Sequence, residues 1–260
     1  MSSLATLSNH YEDVSKTYES AFFYSSESYR DFVIENILLF FRDQNLEISP
    51  ATKVVDLGGG TGNFTQCLAL AAGLTEKILC VDAFQEMLNL ATEHSLVDTL
   101  LMDAVDFSQL PGEGFNYKYI LLKELIHHIS IGDLEKMFSG LYRQLEVGGT
   151  ALTITRPQEV DFPFFEKARE VWRNNQPAIE LIVPPMRAAG FDVIVYTKSY
   201  PVKLKKADWI KMVSNKFWST FSLCTPEELS NGIHELEEKF RDVEELTFDD
   251  NLLFIVARKK

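Results

Sequence analysis

Cysteine is scarce. Cys67, Cys80 and Cys224 are widely spaced, odd in number and form no CxxC pair. They read as buried reduced thiols of a cytosolic protein rather than a disulfide framework. Long hydrophobic runs are also missing. Phe32 to Phe41 is interrupted by Glu35 and Asn36, and no segment approaches the roughly 20 apolar residues of a membrane span. Basic residues are outnumbered: 25 Lys and Arg stand against 38 Asp and Glu, a net charge of −13. A surface of that sign repels phosphate backbones and anionic lipid, so neither nucleic acid nor membrane is expected as a partner. Met1 to Asn9 has no basic start and no apolar core, which does not fit a signal peptide and points to a cytoplasmic location. There is no internal repeat and no low-complexity stretch.

What is present is an ordinary globular mix, 46% hydrophobic and 24% charged over 260 residues. That suits one large domain, or one domain with a small cap. Residues 11–43 carry a helical pattern and the aromatics Tyr11, Tyr18, Phe22, Phe23, Tyr24 and Tyr29, closed by Ser49-Pro50. An alternation of strands and helices follows. Strands are expected at Lys53–Leu57, Lys77–Val81, Val97–Met102, Tyr117–Leu122, Thr150–Thr155, Phe191–Tyr196 and Leu252–Ala257, with helices at Thr61–Ala72, Gln85–Glu93 and Ile131–Leu145, the last opened by Ser130. Such an order predicts an α/β fold, a mostly parallel sheet with helices on both faces and ligand loops at the carboxyl ends of its strands. Residues 202–249 exceed what a connection needs and hold two helical patterns with Trp209, Phe217, Trp218 and Phe221. The expected division is a helical cap over 1–48, an α/β core over 49–201 and 250–260, and a helical insertion over 202–249 that forms part of a substrate cap.

The most informative run is Val54-Val55-Asp56-Leu57-Gly58-Gly59-Gly60-Thr61-Gly62-Asn63-Phe64. Glycines after a strand allow a sharp turn and close approach of a ligand to backbone, and the next helix offers free N–H groups. Dinucleotide enzymes use GxGxxG with pyrophosphate at the helix terminus. Here the third glycine of that pattern falls on Asn63, and the arrangement is acidic-x-Gly-x-Gly-x-Gly. An acid at the strand end suits a ligand with an ammonium and no pyrophosphate.

These residues resemble the class I S-adenosylmethionine (SAM)-dependent methyltransferases, in their small-molecule branch, over roughly residues 50–157. The resemblance implies a Rossmann-like seven-stranded sheet, SAM (S-adenosyl-L-methionine) as cofactor, and roles for particular residues. Asp56, Gly58 and Gly60 would border its amino-acid portion. Asp82, with Ala83 and Phe84 beside it, would accept hydrogen bonds from the ribose hydroxyls. Asp103, followed by Ala104, would reach the adenine amino group. Lys123 stands where many relatives carry a small polar residue, a departure, and its backbone would line the methionine moiety. Leu145 to Thr150 matches the family's turn into the fifth strand.

Methyl transfer is an in-line displacement, so alignment and exclusion of water matter most, and a base only where the acceptor must lose a proton. The resemblance makes His127 the candidate base, since the loop after the fourth strand lies beside the methyl group in relatives; capping of the next helix is the plainer role for a His pair. Glu124, His127 and His128 stand at i, i+3 and i+4, which is one face of a helix, and carboxylate and imidazole at that spacing can bind a divalent metal. Ubiquinone-pathway O-methyltransferases and plant small-RNA 2′-O-methyltransferases have a similar Glu-x-x-Glu-His there, in which His127 replaces the second Glu; no metal ligand is assigned here. Substrate contacts fall to Tyr18, Tyr24, His128 and Trp218, each of which could equally be packing. Arg30 and Arg156 are further candidates, for a substrate carboxylate. The expected function is methylation of an O, N or S atom of a small-molecule metabolite, by a monomer or homodimer. An RNA or protein methyltransferase and a non-catalytic SAM-binding regulator are the alternatives. No Asn/Asp-Pro-Pro-Tyr follows the fourth strand, which disfavours amide or exocyclic-amine methylation.

Overall fold

The structure, a computed structural model, describes residues 26–43, 48–111, 114 and 116–260. The chain divides into two compact units. Of the described residues, those of the α/β unit fall within 30–155, 178–197 and 253–260, and those of the other within 26–29, 156–177 and 198–252. Among the described residues no helix is long and apolar enough to cross a membrane.

The α/β unit is built on β1 (Val54–Leu57), β2 (Ile78–Asp82), β3 (Val97–Leu101), β4 (Tyr117–Lys123) and β5 (Leu145–Thr155). With β6 (Asp192–Lys205) and β7 (Glu245–Arg258), each divided between the two units, they form one sheet in the order β3-β2-β1-β4-β5-β7-β6. The pairs β1–β2, β1–β4, β2–β3 and β4–β5 are parallel, and β5–β7 is antiparallel. All four residues of β1 are buried, as a strand covered on both faces requires. The chain runs from β1 outward through β2 to β3, then returns to β4 on the other side of β1. That reversal falls between β1 and β4, and open α/β sheets take their ligands at the carboxyl ends of the strands that flank such a point.

Helices α1 (Glu27–Asp43), α2 (Asn63–Ala71), α3 (Gln85–Ala91), α4 (Ala104–Ser108), α5 (Leu134–Gln144) and α7 (Ile179–Ala188) belong to this unit, α1 from Arg30 onward. The segment expected as a cap over 1–48 is therefore in part sheet cover: Val33, Ile37 and Phe41 of α1 are buried, and Phe41 stacks on Tyr119 of β4 at 4.2 Å. Helix α5 begins at Leu134 rather than Ile131, behind two single 3₁₀ turns at Ile126–His128 and Ile131–Asp133. It presses so closely on α4 that a Cβ on Gly140 would lie 2.0 Å from the Ser108 carbonyl oxygen. Alanine in mid-helix normally gains about 1 kcal/mol over glycine. Gly140→Ala is nonetheless expected to lose about 1–3 kcal/mol by overpacking, read as a lower urea midpoint.

The second unit has an aromatic core. Phe162, Phe164, Trp209 and Phe221 are fully buried, and Trp172 and Trp218 pack against them. Its helices are α6 (Glu166–Asn175), α8 (Lys206–Ser214), α9 (Ser219–Ser222) and α10 (Pro226–Lys239). Helix α10 opens with a capping box: Glu228 N–H donates to Thr225 Oγ1 at 3.2 Å and Thr225 N–H to Glu228 Oε2 at 2.8 Å. Residues 156–177, expected in the α/β core, lie in this unit instead, because Phe162, Phe164 and Phe165 supply its core. Arg156 is buried and bidentate on Asp250, with Nε and one amino group each 2.7 Å from a carboxylate oxygen; that amino group also donates to Tyr29 Oη at 2.8 Å. It is thus an internal ion-pair residue, not a free guanidinium for a substrate carboxylate.

Candidate cofactor site

The glycine loop joins β1 to α2 inside the α/β unit. Gly58 N–H donates to Val81 O at 2.7 Å, tying the loop to β2. Gly58 has φ +77°, and a Cβ there would lie 2.9 Å from Leu125 Cδ1, so the position needs glycine on both counts. Gly60 has φ +57°, but its absent Cβ points into open space with no atom within 4 Å. The loop therefore leaves room on that side for a ligand to approach backbone.

Asp82 ends β2, and both its oxygens are held. Gly60 N–H donates to Oδ2 and Phe84 N–H to Oδ1, each at 3.0 Å. An ionised carboxylate has about four acceptor sites, so the group retains acceptor capacity for a ligand hydroxyl. Burial raises the Asp82 carboxyl above its ordinary value, opposed by the N–H groups of Phe84, Gly60 and Ala83. Ala83 is exposed in the turn that follows, and Phe84 is half-buried.

Asp56 is placed differently from its sequence reading. Its carboxylate is 2% exposed and lies beneath the glycine loop rather than at its rim. Thr65 Oγ1 donates to Oδ2 at 2.5 Å. Burial pushes the carboxyl up to about 6, countered by Thr65 and the charge of Lys123 and reinforced by Asp82. The sign for stability follows: the folded state holds this proton more tightly than the unfolded chain, so this group's contribution is greatest below about pH 4 and is lost as pH rises to about 6. Its ceiling is about 3 kcal/mol. Asp56→Asn is expected to remove that decline, seen as a flatter urea stability between pH 4 and 6.5.

Asp103 caps α4, its Oδ1 accepting from Val105 N–H at 2.8 Å and Asp106 N–H at 3.4 Å; Ala104 is buried behind it. Lys123 ends β4, with its ammonium 4.9 Å from the centroid of the Phe64 ring. Glu124 has φ +54° and stands outside any helix, and His127 and His128 occupy a single 3₁₀ turn with ring centroids 4.1 Å apart. The one helix face expected for Glu124, His127 and His128 is thus not formed. Among the described residues no group of three or more His, Cys, Asp or Glu is arranged to hold a metal ion.

The structure gathers Asp56, Gly58, Gly60, Asp82, Ala83, Asp103, Ala104, Lys123, His127 and His128 in the α/β unit. Trp218 belongs to the other unit, half-buried against Phe221 with ring centroids 6.1 Å apart. Tyr18 and Tyr24 lie outside the described residues. From the sequence Cys80 reads only as a buried thiol and Phe64 only as the end of the glycine run, and Thr65 and Leu125 carry no motif; only their packing around the loop reveals all four.

Residues 54–149 match the methyltransferase domain family. A ubiquinone/menaquinone biosynthesis C-methyltransferase, UbiE, of Rhizobium etli is 27% identical over 130 residues, covering 48% of this chain and 49% of that protein. The chain spans about half the length of the curated relatives it matches. Two solved structures share the fold. A Bacillus halodurans protein described as a methyltransferase has a TM-score of 0.56 at 19% identity, over 85% of this chain and 98% of its own. A phosphoethanolamine N-methyltransferase of Haemonchus contortus, solved with S-adenosylhomocysteine, has 0.54 at 18%, over 86% and 53%. The glycine loop after β1 and the match that runs from β1 into β5 coincide: residues 54–149 match the methyltransferase domain family.

Proposed function

We propose that the protein is an enzyme that transfers a methyl group from SAM to an O, N or S atom of a small-molecule metabolite. The observation that carries the cofactor half is Asp82, a carboxylate with both oxygens fixed by backbone N–H groups beside a loop that is open at Gly60. That arrangement fits a ribose diol next to an amino-acid moiety. When bound, SAM supplies a methyl group on a sulfonium, already activated for displacement. In this reading Asp82 accepts from the ribose hydroxyls, with Ala83 beside them. Gly58, Gly60 and the Lys123 backbone border the methionine moiety, and Asp56 supports the loop from below. Asp103 reaches the adenine amino group through its outer oxygen, and Ala104 packs behind it. His127 accepts the proton of an acceptor that must lose one, and His128, Tyr18, Tyr24 and Trp218 contact the substrate.

The small-molecule half is supported by the net charge of −13, which disfavours RNA. A cytoplasmic monomer or homodimer completes the reading. The name of the quinone-pathway relatives adds carbon to the acceptors worth assaying. Calorimetry with SAM, then release of S-adenosylhomocysteine with metabolite pools, mixed RNA or peptides, tests both halves. Binding with turnover on metabolites is expected. No binding overturns the cofactor reading, turnover on RNA or peptides overturns the substrate reading, and binding without turnover on any pool favours a regulator.

A further inference from the structure

We propose that Thr65 is a positioning residue of the cofactor site: its hydroxyl pins the Asp56 carboxylate to the underside of the glycine loop in the charged form that favours a cationic ligand. The inference rests on the SAM reading above and goes beyond the residues named there.

Three observations carry it. Thr65 is fully buried in the first turn of α2 and donates to Asp56 Oδ2 at 2.5 Å, the length of a charge-assisted O–H···O⁻ bond. Asp56 is in turn the floor of the loop: a Cβ on Gly59 would lie 3.1 Å from its Cγ and Oδ2, and 2.6 Å from Cys80 Sγ. The groups facing this carboxylate are few and come from three elements. Lys123 of β4 favours its ionised form, Asp82 of β2 opposes it, and the Cys80 thiol of β2 lies alongside. Thr65 of α2 adds a donor that is neutral, fixed by a helix and unable to follow a ligand away. Burial works in the opposite direction, so the hydroxyl decides how far down the pH scale the floor of the site stays negative.

Thr65→Val keeps the branched shape and removes the donor; Thr65→Ser keeps the donor. SAM affinity is measured by calorimetry from pH 5.5 to 9, with the wild-type to variant ratio taken at each pH so that the ligand's own titration cancels. Wild-type affinity is expected to fall as pH drops through about 6. Loss of a hydrogen bond to a charged group moves that midpoint up by about one to two pH units in Thr65→Val. The ratio should be roughly ten-fold near pH 6.5 and close to one by pH 9, while Thr65→Ser follows the wild type. Carbon-13 titration of the Asp56 carboxyl without SAM gives the same shift independently of binding. A folded Thr65→Val whose affinity ratio is constant across pH overturns the inference. So does a wild-type affinity that is flat between pH 5.5 and 7, which needs no variant to fold. Absence of SAM binding by the wild type at every pH overturns the cofactor reading itself.

Discussion

Calorimetry on an Asp82→Ala variant is expected to show SAM affinity lowered by a factor of roughly 10² to 10⁴. Two ribose hydroxyls lose a charged acceptor, and hydrogen bonds to charged groups contribute about 1.5–3 kcal/mol each. The loss has a second component. Asp82 also accepts from Gly60 and Phe84 N–H groups, so its removal releases the loop from the turn after β2. Asp82→Asn separates the two. It keeps one carbonyl oxygen for a backbone donor but presents an amide N–H to the other, and its affinity should fall between wild type and alanine. Full affinity in Asp82→Ala would contradict the assignment of this carboxylate to the ribose.

The largest expected effect on stability lies in the other unit. Arg156→Met should lower its unfolding free energy by about 3–5 kcal/mol. Asp250 is fully buried and bidentate to Arg156, so truncating the cation strands a carboxylate with no water to replace it. The Tyr29 hydroxyl loses its bond to the same guanidinium. A buried pair replaced whole by apolar residues is often neutral or stabilising, so Arg156→Met with Asp250→Leu should recover most of the loss. Thermal unfolding followed by near-ultraviolet circular dichroism reads the aromatic core of this unit directly. Equal stability of Arg156→Met and wild type would mean that Asp250 finds another partner.

The central strands were legible because burial on both faces leaves an apolar signature. Val54-Val55, Ile78 to Val81 and Tyr119 to Leu122 carry it, and the structure places strands there. The edge was harder. β6 runs to Lys205 although only Val193 and Val202 in it are buried, and Pro201 sits within it, which an edge strand tolerates. A strand that is wet along most of its length has no hydrophobic period to read. The loop's acceptor at Asp82 was legible because its chemistry is local to a strand end. The location of Asp56 under the loop was not: its burial depends on α2 and β2 closing over it, and Thr65 stands nine residues away with no spacing rule linking the two. The turn after β4 fell between the two. Its residues were noticed, but a left-handed Glu124 ends the strand where a helix face was expected.

Cys80 gives the loop a built-in reporter. Its sulfur is fully buried under Gly59, weakly donates to Gly60 O at 3.9 Å, and is pushed toward the protonated thiol by burial and by Asp56 and Asp82. Alkylating reagents attack the thiolate, so this side chain stays silent while the loop is seated. In a background with Cys67, the more exposed thiol, replaced by serine, the labelling rate of Cys80 therefore counts the openings of the glycine loop, and any ligand that seats on the loop should slow it.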